Sequence, residues 1–259
     1  MASVSPLFLL PGIGMVLVAI CSVWLWQRGK PSLWWAVWWG VLAWVLSVTA
    51  KSLASWPSTK LIVRHRGDPM TWLYVGLLTG VFECAIPLLL IWKSRLSRAD
   101  WDQAVAFGIG FGAIEAFLIG TGSVVVTGLL LVSPGLFPVA MRNALTHQFR
   151  SGGLISIPFP VIERTAALLI HVLSSVLLIC AVRIRQQRWF WLAFACKTAV
   201  DGFAGWSVLS WRVAESVRKM ATVECVFVVF ALIAMAALPS FKARFARLDQ
   251  PQGVPSMLT

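Results

Sequence analysis

The chain has 259 residues, of which 59% are hydrophobic and 12% are charged, whereas an ordinary soluble domain has about 25% charged residues. This composition excludes a water-soluble globular protein and predicts an integral membrane protein in contact with the lipid bilayer. The net charge is +12, but most of the basic residues lie in short segments between apolar runs. They therefore indicate membrane topology and contacts with anionic lipids, not nucleic-acid binding.

Seven apolar runs, each long enough to span a bilayer as a helix, follow one another along the chain. They are Leu7–Trp26, Leu33–Leu53, Met70–Trp92, Ala104–Val132, Phe159–Val182, Trp189–Trp211 and Met220–Leu238. The fourth run is longer than a bilayer requires, so it must tilt, break near its glycines or leave the membrane before Val132. The pattern predicts an all-α fold, a polytopic transmembrane helical bundle of about seven spans.

The runs and the residues between them predict two parts, a single transmembrane domain over residues 1–241 and a basic, disordered tail over residues 242–259. Between the fourth and fifth runs, apolar residues at four-residue spacing from Phe137 to Phe149 predict a short helix on the membrane surface. Lys and Arg are slightly more frequent in alternate connectors and in the tail. The positive-inside rule therefore predicts an amino terminus outside and a carboxyl terminus in the cytoplasm.

Five ionisable residues lie near the middle of the apolar runs, where each costs roughly 2.5–3.5 kcal/mol on insertion scales. They are Glu83, Glu115, His171, Lys197 and Asp201. They belong to four different runs, so each would be unpaired in the hydrocarbon unless the runs bring them together. We therefore predict a polar intramembrane cavity to which these residues converge.

Simpler interpretations of the same residues stay open. Lys197 and Asp201 are four residues apart on one predicted helix face and could neutralise each other. Glu83 and Glu115 could be protonated acids hydrogen-bonded between helices, and His171 could be a neutral interhelical hydrogen-bond partner.

A second group of charges lies closer to the predicted membrane interface. Glu163 and Arg164 follow two prolines, so they occupy a first helical turn where Glu favours the helix dipole and Arg can extend towards water. Glu224 opens the last run in the same way. These positions are compatible with ordinary interfacial roles.

Several of these residues stand in motifs that resemble a known family. The segment from Gly108 to Glu115, then Glu163 with Arg164, then His171 eight residues after Glu163, resembles the YhfC-type intramembrane metalloproteases, which are related to the PrsW and CAAX-processing endopeptidases. Gly80 to Glu83 is similar to the start of that family's paired-glutamate motif. Lys197 to Asp201 stands where a His-x-x-x-Asp motif is expected.

The chain departs from the family pattern at three positions. Cys84 replaces the second glutamate of the pair, Phe111 stands where the glycine-rich motif usually carries histidine, and Lys197 stands at the first position of the His-x-x-x-Asp motif.

The resemblance implies an intramembrane endopeptidase that cleaves transmembrane or membrane-proximal peptide bonds, in a bacterial plasma membrane. In such enzymes a glutamate activates water, and histidines hold a metal ion or the developing oxyanion. Zinc, if bound, would use His171 with Glu83 and Glu115 as ligands. Alternatively, Lys197 replaces the metal as the electrophile.

In that lysine alternative each remaining polar residue has a role. Glu83 is the base, His171 carries protons and Asp201 orients the lysine, which with Glu115 makes five candidate catalytic residues. Two other functions stay open. One is a catalytically inactive relative that binds a transmembrane partner in the same cavity, and the other is a small transporter or proton relay.

Overall fold

A computed structural model describes residues 5–249, with the side chains of residues 31, 148, 150 and 151 left out of the description. Within this range the chain is α-helical apart from short connections, and it contains no β-strand. The helices are α1 Leu10–Gln27, α2 Trp34–Ser55, α3 Thr59–Arg64, α4 Pro69–Lys93, α5 Trp101–Val132, α6 Val139–Gly152, α7 Phe159–Arg183, α8 Gln187–Leu209 and α9 Val217–Leu248. The predicted fold class, a polytopic helical bundle, is confirmed.

Six segments of the described chain are long and apolar enough to cross a membrane: Pro6–Gln27, Trp34–Arg64, Pro69–Lys93, Trp101–Val132, Leu154–Arg183 and Val217–Leu248. The predicted run Trp189–Trp211 corresponds to α8. That helix has 23 residues, but Arg188, Lys197 and Asp201 lower its mean hydropathy. The number of spans therefore stays a prediction, as do the sides on which the two termini lie.

Local sequence explains where the two helices that carry the glutamates begin. Before α4, the Asp68 side chain accepts a hydrogen bond from the backbone N–H of Met70, and Pro69 starts the helix without needing a donor. Before α5, Asp100 and Gln103 form a reciprocal capping box. The α5 helix then continues without a break through its glycines for 32 residues, about 48 Å. Of the three alternatives for this long run, a break near the glycines is therefore wrong, and the run is one continuous helix.

Helix α5 is the centre of the bundle, packed against α1, α2 and α7. Glycines allow this close approach, because a Cβ atom at Gly108 would lie 2.6 Å from Cα of Val172, and one at Gly112 would lie 3.1 Å from Cα of Leu168. Both neighbours belong to α7, the helix that carries His171. The glycine-rich stretch therefore brings Glu115 of α5 next to that histidine.

A second glycine contact joins α4 to α8. A Cβ atom at Gly76 would meet the backbone of Thr198 and Gly202, and one at Gly80 would meet the side chain of Thr198. Because neither glycine carries a side chain, the backbones of α4 and α8 approach closely at this point. The close approach places Glu83 of α4 beside Lys197 of α8.

The structure describes the predicted surface helix and the first part of the predicted tail. Helix α9 continues to Leu248, so residues 242–248 are helical and not disordered. The physical reason is that Phe245 is fully buried in the core. Residues 250–259 of the predicted tail lie outside the described residues. The predicted short helix corresponds to α6, and its position on the membrane surface stays a prediction.

Candidate active site

One cavity of about 210 Å³ is lined by the polar residues that lie within the apolar runs. Helices α2, α4, α5, α7 and α8 all contribute to its lining, so charges far apart in sequence become neighbours. The predicted site residues that line it are Glu83, Glu115, Glu163, Arg164, His171, Lys197 and Asp201.

Lys197 lies at the centre of this cavity and is almost completely buried, with 3% of its surface exposed. Its Nζ donates a hydrogen bond to Glu83 Oε2 at 2.8 Å and lies 2.7 Å from His171 Nδ1. The same ammonium group lies 5.2 Å from the centre of the Phe111 ring, within the range of a cation–π interaction. Two of the three departures from the family motifs, Phe111 and Lys197, are therefore in contact with each other.

His171 links Lys197 to the second glutamate. Its Nε2 lies 3.0 Å from Glu115 Oε2, while Nδ1 faces the lysine. An ammonium group can only donate, so Nδ1 is the acceptor and Nε2 carries the hydrogen that bonds to Glu115. The hydrogen bonds thus assign one tautomer to this ring.

Arg164 binds Glu115 through Oε1, whereas His171 binds it through Oε2. Its Nη1 pairs with Glu115 on α5 and its Nη2 with the neighbouring Glu163. The arginine side chain is 14% exposed, so it points into the cavity and does not extend towards water. This guanidinium therefore compensates two carboxylates at once.

Two residues of α2 that were not predicted from the sequence also belong to the site. The Lys51 ammonium pairs with Glu83 and donates to Thr79 Oγ1 at 3.3 Å, and the Trp44 indole N–H donates to Glu115 Oε2 at 3.0 Å. Trp44 and Lys51 are seven residues apart, which is two helical turns, with Val48 between them on the same cavity wall. That seven-residue spacing is the feature of the sequence that could have placed both residues on the cavity wall.

Asp201 lines the cavity without joining Lys197. Among residues 5–249 no ion pair within 4 Å connects the two, and the lysine pairs with Glu83 instead. The Asp201 carboxylate interacts with the Thr79 hydroxyl. The two residues of the His-x-x-x-Asp position therefore have different partners.

These contacts form a continuous network of charged groups, with His171 joining its two halves, which we call the polar cluster. It runs Lys51, Glu83, Lys197, His171, Glu115, Arg164 and Glu163. Each of its three carboxylates has a cationic partner, as a buried ionic group requires. This pairing offsets the free-energy cost of placing charged groups between apolar helices.

The donor set of this cavity does not fit a catalytic zinc ion. Such a site needs three protein ligands arranged around one point, with a fourth position open. Lys197 Nζ lies between Glu83 and His171 at hydrogen-bonding distance from both, where a shared cation would have to bind. Among the described residues, no three His, Cys, Asp or Glu side chains are grouped to hold a metal ion. The assignment of His171, Glu83 and Glu115 as metal ligands stays a prediction that this arrangement does not support.

Comparison with known proteins agrees with the motifs. Residues 14–228 match the family model of YhfC intramembrane metalloproteases, a range that includes every residue of the polar cluster. No curated protein and no solved structure matches the chain significantly. The chain belongs to the YhfC family of intramembrane metalloproteases, which supports an integral membrane location and a membrane protease-like function.

Proposed function

We propose that this member of the YhfC family is an intramembrane endopeptidase in which Lys197 acts in the position of a metal ion. The observation that carries the proposal is the location of the Lys197 ammonium, 2.8 Å from Glu83 and 2.7 Å from His171 inside one polar cavity. A carboxylate can act as the general base that activates water, and a fixed cation beside it can stabilise the oxyanion that forms on the peptide carbonyl.

Hydrolysis would use the residues of the cluster as follows. Glu83 removes a proton from a water molecule, whose oxygen forms a bond to the carbonyl carbon of the substrate. The resulting oxyanion accepts a hydrogen bond from Lys197. Glu83 then gives the proton to the amide nitrogen, the C–N bond breaks, and a carboxylic acid and an amine are released.

The other residues position this pair. His171 holds the Lys197 ammonium through Nδ1, and Glu115 holds the ring through Nε2. Arg164 fixes Glu115. These contacts orient the cation before substrate arrives, so little reorganisation is needed in the reaction.

Lys51 gives the site a movable element. Glu83 is bound by two ammonium groups at rest, which weakens it as a base until one of them leaves. The Lys51 side chain is 25% exposed, while that of Lys197 is 4% exposed, and a lysine stem is flexible. Substrate binding would therefore displace Lys51 and free one carboxylate oxygen.

The test compares membranes that contain the wild-type chain with membranes that contain Glu83→Gln at equal expression. Quantitative mass spectrometry of new peptide termini should find membrane-protein fragments with the wild type only. The purified wild type should cleave the same segments in the presence of a zinc chelator. Equal fragments in both membranes would contradict proteolysis, and loss of cleavage with the chelator that added zinc restores would contradict the role of Lys197.

One observation favours a second candidate, a non-catalytic scaffold that binds a transmembrane partner. Each carboxylate of the polar cluster has a cationic partner at rest, so the cluster can be purely structural. In that case the wild type and Glu83→Gln would give the same peptide termini, and a membrane protein would copurify with the chain. The transport alternative stays a prediction.

A further inference from the structure

A second cavity, of about 280 Å³, lies beside the cavity of the polar cluster. Three residues line both: Glu163, Ala204 and Phe227. The second cavity is formed where the start of α7, the end of α8 and the first turns of α9 come together. Because the two cavities share these three residues, a ligand that fills the second one lies beside Glu163, across a shared wall from the cavity of the polar cluster.

Glu224 lines this second cavity and differs from the carboxylates of the polar cluster. It is 9% exposed, and in the described part of the chain its Oε2 atom has no hydrogen-bond partner. A buried carboxylate without a partner costs free energy that a cationic ligand would recover. The ordinary interfacial role that the sequence indicates for this residue does not account for a buried oxygen without a hydrogen-bond partner.

The ionisable residues that line the second cavity have one sign of charge. Of the described residues that line it, Glu163 and Glu224 are the ionisable ones, and both are acidic. Arg164, a cation next to Glu163 in the chain, already binds Glu115 and Glu163 through its two terminal nitrogens. The ionisable groups in the described lining of the second cavity are therefore both acidic, and Glu224 is the one that forms no ion pair among the described side chains of residues 5–249.

Four aromatic rings also line the second cavity. Phe8 and Phe149 stack with ring centres 4.5 Å apart, and Phe159 and Phe227 also line the cavity. Carboxylates combined with aromatic faces favour organic cations such as ammonium and guanidinium groups. A volume of 280 Å³ lies just below the roughly 300–1,000 Å³ of pockets for whole small ligands, so it suits one long side chain.

We propose that this second cavity binds the lysine or arginine side chain of a peptide substrate, with Glu224 as the main carboxylate. The peptide backbone beside that side chain then extends past the shared wall to Glu83 and Lys197. The substrate class is a membrane protein with a basic residue a few positions from the cleaved bond. This inference rests on the proposed function.

Binding tests the inference without requiring cleavage. The probes are two fluorescein-labelled peptides of about 20 apolar residues, the length of one span, that carry either Arg or Gln beside the apolar segment. They are added to the purified full chain in phosphatidylcholine nanodiscs, and mass spectrometry checks that they remain intact. Fluorescence anisotropy should give a Kd about tenfold lower for the Arg peptide, equivalent to about 1.4 kcal/mol.

Two variants test whether Glu224 causes the preference for the Arg peptide. Glu224→Gln should bring the two Kd values to within about twofold, equivalent to about 0.4 kcal/mol. The matched control Glu215→Gln should leave the preference intact, because Glu215 is an exposed acid paired with Arg212 and Lys219. Equal Kd values for the two peptides on the wild type, or a preference that survives Glu224→Gln, would overturn the inference.

A second measurement does not depend on the folding of Glu224→Gln. Ser123 lines the same cavity, so Ser123→Cys places a thiol there. The aminoethyl and sulfonatoethyl methanethiosulfonates are compared, each relative to its rate with a free thiol, and labelling of the five native cysteines in the parent chain is subtracted. The cationic reagent should react about tenfold faster, equivalent to about 1.4 kcal/mol. A ratio near one would overturn the inference.

Failure of the proposed function gives a different result. If the chain is a scaffold, no new peptide termini appear, and the preference for the Arg peptide still holds. If the chain cleaves segments with no basic residue near the cleaved bond, the inference fails and the peptidase proposal stands.

Discussion

Replacing Lys197 with methionine removes the ammonium group at the centre of the polar cluster and keeps a side chain of similar length. Glu83 then retains only Lys51, and His171 loses its partner at Nδ1. Removing one partner from a buried ion pair costs about 3–5 kcal/mol. For chains of about this size, 1 kcal/mol corresponds to roughly 2–4 °C, so the melting temperature should fall by about 6–20 °C.

The assay is thermal unfolding of the purified proteins in one detergent at one heating rate, followed by tryptophan fluorescence. Lys30→Met is the matched control, because Lys30 pairs with Asp102 at 2.9 Å but both side chains are about 40% exposed. An exposed pair contributes about 0–1 kcal/mol, so this control should lose no more than about 4 °C. Equal losses for the two variants would refute the argument that Lys197 is a buried cation on which the stability of the bundle depends.

Other substitutions test how the site is held, with the same melting assay. Gly108→Ala should lower the melting temperature because its Cβ would lie 2.6 Å from the backbone of α7, whereas Gly122→Ala on the same helix α5 meets no atom within 4 Å and should be neutral or stabilising; equal losses would contradict the close contact. Trp44→Phe should cost about 1–3 kcal/mol, because it removes the N–H bonded to the Glu115 carboxylate. Trp38→Phe, at a residue that is 64% exposed, should change stability by less than about 0.5 kcal/mol, and an equal loss there would show that the hydrogen bond is unimportant.

The sequence predicts the bundle well because apolar runs and the cost of buried charge are local properties. It also predicts the residues of the cavity that lie mid-span, since their cost is visible without knowing their partners. The partners themselves were not predictable. Lys197 pairs with Glu83 and not with Asp201 because α4 and α8 approach closely at their glycines.

Residues near the ends of the runs were harder to interpret. Lys51 stands where basic residues usually mark topology, and Trp44 belongs to a tryptophan-rich stretch that is typical of a lipid-facing surface. Only the packing of α2 against α4 and α5 turns both side chains towards the glutamates. Glu224 is similar, because the absence of a hydrogen-bond partner in the described chain depends on which helices surround it.

We propose that a lysine, and not a metal ion, is the cation of this intramembrane site. Elemental analysis of the purified wild type beside His171→Ala tests it most directly. We predict no stoichiometric zinc in either protein, because Lys197 lies between Glu83 and His171. About one zinc per chain in the wild type, lost in His171→Ala, would contradict the account.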